Sequence, residues 1–211
     1  KREYELAAQV TKTLKITVLM AAPMSLGLAA VTTPALRILY PSLPGMQAVG
    51  SVILPILAIS SFFFAFLAPY QSIMQGIGRA DLPFKAVICG AAIKLFANLT
   101  LIRLPSIHII GAAIGTLLCY LSISIFSFIS LRKVLPIGLS VTGILLKPLL
   151  SALLSAFSAF LVQKALTNTV SDSIIAIVSI AVGALAYVAA LFLFRVVRQS
   201  DFSFVRHKKN T

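Results

Sequence analysis

The residues best placed to do chemistry are Lys94 and Asn98, in the run KAVICGAAIKLFANLTLI. An ammonium group at bilayer depth costs about 2.5 to 3.5 kcal/mol on insertion scales, so such a group faces protein or a water-filled path. Lys94 lies about ten residues from either end of its apolar run, too deep for its side chain to snorkel to the headgroups with ease. Gly90, Lys94 and Asn98 recur at i, i+4 and i+8, which puts them on one stripe of a helix. The glycine allows another backbone to approach, and the ammonium and carboxamide require polar surroundings. That combination predicts an interior-facing stripe on a pathway or at an interface between lobes, and points toward transport.

Other residues offer weaker chemistry. Gly111 and Gly115 in GAAIGT form a small-xxx-small face suited to close helix packing, with Thr116 available to hydrogen-bond across it. Ser151, Ser155 and Ala159 form a second such face. Arg37 and Arg103 fall at the ends of their apolar runs, where a guanidinium either snorkels to the headgroups or meets an anionic phosphate as a bidentate donor. Cys89 and Cys119 sit in different runs with no CxxC and no neighbouring His, so they read as small packing residues. GIGRADLP, with Gly76, Gly78 and Arg79, lacks the rest of a phosphate-binding pattern; it reads as a tight turn with Asp81 capping the next helix.

Enzyme chemistry finds no support in the residues. There is no HExxH and no carboxylate pair at depth, His108 and His207 lie at or beyond the ends of apolar runs, and the tripeptide Gly138 to Ser140 has no base beside it. No metal or cofactor is implied.

The elements that must carry these groups are membrane helices. Hydrophobic residues make up 59% of the 211-residue chain, too much for a soluble fold to enclose. A bilayer core about 30 Å thick needs about 20 helical residues. Runs of that length occur near 16–39, 50–74, 84–104, 108–131, 142–163 and 173–195, and short turn-rich segments join them. The fold class is therefore all-α, a polytopic membrane helix bundle of six transmembrane helices.

The division expected is an amphipathic linker over 1–15, four helices over 16–131, a C-terminal helix pair over 132–197 and a basic tail over 198–211. Pro23, Gly27 and Pro34 in the first run, Pro55 and Pro69 in the second and Pro148 in the fifth are helix breakers, and Pro23 with Gly27 is the expected bend.

The net charge of +13 arises from basic residues that alternate with apolar runs, which fits anionic lipid and excludes a nucleic-acid face. Most of the 18 Lys and Arg fall on one side, at Lys1 to Lys15, Arg79 and Lys85, Arg132 and Lys133, and Arg195 to Lys209. Arg37, Arg103 and Lys164 fall on the other, and Lys147 with Pro148 marks the inner end of the fifth run. The positive-inside rule then places both ends in the cytoplasm. The opening segment KREYELAAQVTKTLK is too charged for a signal peptide, and the chain reads as beginning inside a longer protein.

Several stretches resemble a known family. APMSLGLAAVTTPALRILYP, QSIMQGIGRADLPFK, IKLFANLTLI and GAAIGTLLCYL are similar to helices nine to twelve of flippases in the multidrug/oligosaccharidyl-lipid/polysaccharide exporter superfamily. Within it the chain resembles the stage V sporulation protein B-like group, related to the lipid II flippase. The resemblance implies a two-lobed MATE-like transporter with about fourteen helices that moves an undecaprenyl-linked saccharide by alternating access in the bacterial plasma membrane. This chain would supply helices nine to fourteen, with the N-terminal lobe as its missing partner. The resemblance also implies that Asn98 and Thr116 match positions of a sodium site, with the Lys94 ammonium taking the cation's role as a fixed charge or a proton carrier. It implies that the last two helices form a groove for the prenyl tail.

The expected function is a flippase or exporter of lipid-linked polysaccharide or peptidoglycan precursors for the cell wall or for sporulation. The alternatives are a cation-coupled multidrug exporter of the same superfamily and a non-transporting scaffold for wall or spore-coat assembly. The drug exporter is disfavoured because no Asp or Glu lies at depth to bind cations.

Overall fold

The computed structural model describes residues 2–104, 107–134, 146–167 and 170–194. The tripeptide Gly138 to Ser140, His207, the basic residues from Arg195 onward and the 198–211 tail lie outside the described residues, as does the side chain of His108. Among the described residues there are eight helices and no strand: α1 Arg2–Ala30, α2 Thr32–Leu39, α3 Pro44–Phe64, α4 Leu67–Gly76, α5 Asp81–Leu101, α6 His108–Val134, α7 Lys147–Leu166 and α8 Asp172–Leu193. Six stretches of them are long and apolar enough to span a bilayer, in register with the six expected runs. The first, Ala8–Ala30, starts earlier than expected, because α1 continues without interruption from Arg2 through the segment read as a linker. The fifth starts at Lys147, whose successor Pro148 has the missing N–H that a first turn tolerates.

Prolines decide where two spans are interrupted, through the carbonyl four residues before each one. A proline ring displaces that carbonyl and supplies no N–H to it. Pro34 acts on Ala30, and there α1 ends; Val31 separates it from α2, although Val31 still donates to Gly27 (3.0 Å) and Ala35 to Val31 (3.2 Å). Pro69 acts on Ala65, and there α3 gives way to α4. The joined span Pro44–Gly76 has 33 residues, about 50 Å of helix, so it exceeds the hydrocarbon core and must tilt or bend. α1 continues as helix through Pro23 and Gly27, the residues of the expected bend.

The helices pack in a row, α5 on α6, α6 on α3, α3 on α1, α1 on α7 and α7 on α8, with α2 bridging α3 and α8. α1 is central because it has a continuous buried stripe, Val10, Leu14, Val18, Ala22 and Ser25. Elsewhere small residues fill much of the interior beside a few large ones such as Met74 and Ile175, and many large apolar residues point outward. Ser151 and Ser179 are fully buried, whereas Phe192 is 77% exposed and Leu185 71%. In lipid no hydrophobic force draws Leu or Phe inward, so close contact between small residues holds the helices together. Buried hydroxyls are mostly satisfied within their own helix, as Ser60 Oγ donates to the Ile56 carbonyl at 2.7 Å.

Candidate functional site

The α5–α6 seam carries the groups singled out in the sequence. Gly111, Gly115, Cys119 and Ile123 recur every four residues on α6 and face α5. A Cβ on Gly90 would lie 2.7 Å from Ile123 Cδ1 and 3.1 Å from the Cys119 carbonyl, so only glycine fits there without a shift. A Cβ on Gly111 would lie 2.9 Å from Leu101 Cβ, and one on Gly115 would collide with Asn98 Oδ1. All three glycines therefore serve close approach of the two helices, as the small-xxx-small spacing predicts.

Asn98 is wedged against Gly115, and its Oδ1 is buried with no hydrogen-bond partner among the described residues. Thr116, one residue further on, donates to its own helix at the Ala112 carbonyl (3.0 Å) and makes no bond to Asn98. The structure therefore brings Asn98 and the glycines together and leaves Thr116 turned along α6. Lys94 occupies the turn between Gly90 and Asn98, half-buried and within electrostatic reach of Cys119. Among the described residues no carboxylate pairs with it. A half-buried ammonium with no carboxylate partner can attract an anion.

The two arginines have different surroundings. Arg37 Nη1 reaches Asp172 Oδ1 at 3.3 Å, joining α2 to the first turn of α8, and both side chains are about 40% exposed. Arg103 is exposed in the turn after α5. In GIGRADLP, Gly78 adopts φ +78°, and Arg79 N–H bonds the Met74 carbonyl (2.8 Å) while Gly78 N–H bonds that of Gln75 (3.0 Å). This is a Schellman cap, in which glycine takes the left-handed position. Asp81 does not cap the next helix; Ala80 holds that position, and Asp81 lies in the first turn, paired with Arg79 (3.3 Å) and Lys85 (3.2 Å).

Sequence reasoning missed the contacts of α8. Ser155 Oγ donates to the Gly183 carbonyl across the α7–α8 seam at 2.7 Å, and Tyr187 Oη donates to the Leu19 carbonyl of α1 at 2.7 Å. Leu19 lies four residues before Pro23, so Tyr187 satisfies the acceptor that the proline leaves free. Ser124 of α6 donates to the Phe63 carbonyl near the α3–α4 interruption, at 2.9 Å. α7 and α8 close on each other through small residues, as Gly183 does on Ala159. An apolar cavity of about 690 Å³ opens between α7 and α8 on one side and α1 and α2 on the other.

Residues 1–100 match the MatE family. That stretch contains α1 to α4 and nearly all of α5, including Gly90, Lys94 and Asn98, and stops short of the α6 glycines. Two uncharacterized membrane proteins of Methanocaldococcus jannaschii are also similar. MJ1375 is 31% identical over 87 residues, covering 40% of this chain and 20% of that protein. MJ1068 is 38% identical over 80 residues, covering 38% and 15%. The matched stretch is thus a fifth or less of either relative's length. No solved structure matches the chain.

Proposed function

We propose that the chain is part of a membrane transporter that moves a lipid-linked, anionic saccharide precursor across the bilayer for cell-envelope synthesis. The MatE match over residues 1–100 supports a transporter, and the six spans supply a membrane body for one. The observation that carries the finer reading is the sign of the charge at depth. Lys94 is half-buried in the middle of α5, while Asp81 and Asp172 stand at the first positions of their helices. A fixed positive charge attracts a phosphate-bearing substrate and repels an amphipathic cation, which sets the flippase above the drug exporter. In this reading Lys94 presents charge to the pathway, while Asn98, wedged in the α5–α6 seam, and the glycines there hold α5 at fixed depth.

The bias of basic residues to one side supports both ends of the chain lying in the cytoplasm, and the resemblance implies a second lobe against it. Reconstituting the protein in vesicles tests substrate class directly. Translocation of a polyprenyl-linked oligosaccharide above the rate of protein-free vesicles, with no uptake of amphipathic cations, is expected. Cation movement without lipid translocation would favour the drug exporter, and movement of neither would favour a scaffold.

A further inference from the structure

The cavity between α1, α2, α7 and α8 has a shape and a charged end that specify an occupant. Its walls include Pro23, Leu28, Ala35, Ile180, Tyr187 and Val188, and its two ends on α8 are Ala176 and Val188. Twelve helical rises separate those ends, about 18 Å. One leaflet of a hydrocarbon core about 30 Å thick is about 15 Å deep. The groove therefore takes an acyl chain of one leaflet and is too short for a chain that crosses the bilayer.

Charge stands at one end. Asp172 lies one turn beyond Ala176, and Arg37 precedes the groove-lining Ile38 and Leu39. Arg37 spends a single donor, Nη1, on Asp172 at 3.3 Å, and a guanidinium has five. Its other N–H groups have no acceptor among the described residues, and the side chain is 41% exposed. A fork left open beside an apolar slot of one-leaflet length fits a phosphate above an acyl chain.

We infer that this groove is a binding site for an anionic glycerophospholipid of the leaflet at the Arg37 end, with Arg37 as the phosphate ligand. The lipid would fill the space between α1–α2 and the α7–α8 pair and make the attachment of the two depend on membrane composition. The inference is independent of what the protein transports.

The chain contains no Trp, so one introduced Trp reports its own lipid neighbours. Ile180→Trp puts the probe on the groove wall, and Phe96→Trp puts it on the outward face of α5, where Phe96 is 71% exposed. Both proteins are reconstituted in phosphatidylcholine containing a minor fraction of phosphatidylglycerol brominated on its acyl chains. Quenching is expected to report about fivefold more brominated lipid at the groove, the preference that one basic residue confers near anionic lipid. Arg37→Gln should remove the excess, and Asp172→Asn, which frees the guanidinium, should keep or raise it. In the protein altered only at Ile180, high salt should lower the excess, a reading that needs no change to Arg37. Equal quenching at the two positions, an excess that survives Arg37→Gln, or one insensitive to salt overturns the proposal. So does an excess seen with a brominated polyprenyl phosphate and not with phosphatidylglycerol.

Discussion

The hydroxyl of Tyr187 donates to the carbonyl of Leu19 at 2.7 Å, across two helices and 168 residues of sequence. Pro23 is the reason the bond is available, because it has no N–H to offer the carbonyl four residues back. Tyr187→Phe should destabilise the folded protein by about 1 kcal/mol, within the range of interhelical hydrogen bonds in membranes. Pro23→Ala restores an intrahelical donor to Leu19. In that background Tyr187→Phe should cost less, and the difference is the coupling energy of a double-mutant cycle read by denaturant unfolding in micelles. Equal costs in both backgrounds would show that the bond does not depend on the proline.

The glycines of α5 and α6 divide from that of α1. Gly115→Ala should destabilise by about 1 to 3 kcal/mol through overpacking against Asn98, and Asn98→Ala should recover part of the loss. Gly27→Ala should be neutral or stabilising by up to about 1 kcal/mol, since a Cβ there meets nothing within 4 Å and alanine favours the helix. Melting temperatures of the three variants in one detergent check the order.

Two serines on one face of α7 should behave differently. Ser155 bridges to Gly183 of α8, whereas Ser151 bonds back to the Lys147 carbonyl at 3.0 Å in its own helix. Ser155→Ala should therefore cost about 0.6 kcal/mol or more, while Ser151→Ala costs little. Unfolding titrations that rank the two the other way would contradict the assignment of the α7–α8 seam.

The Arg37–Asp172 pair is too exposed to hold the bundle together. Its loss in Arg37→Gln should change stability by less than about 1 kcal/mol, and added salt should shrink the difference further. Thermal unfolding at low and high ionic strength measures both. A larger, salt-independent loss would make the pair a structural clamp.

The six spans were legible because hydropathy over a span length is a sum over many residues, so single errors average out. The packing faces of Gly90, Gly111, Gly115, Ser151, Ser155 and Ala159 were legible because helical spacing alone puts them on stripes. Interruptions were harder to place. A proline acts on a carbonyl one turn back, and whether the helix continues depends on which neighbour meets that carbonyl. For Leu19 it is Tyr187, and nothing local to α1 announces it. The same distance in sequence hid Arg37–Asp172, and with it the charged end of the groove. Asn98 and Thr116 lie near the same seam, yet the Thr116 hydroxyl bonds within α6, a local preference that spacing does not reveal.

Lys94 carries the central claim, and translocation by the protein in vesicles measures it most directly. Lys94→Met should abolish or strongly reduce movement of a polyprenyl-linked saccharide while the amount of folded protein in the membrane is unchanged, and Lys94→Arg should also lower the rate. Unaltered translocation in both variants would contradict a functional charge at that depth.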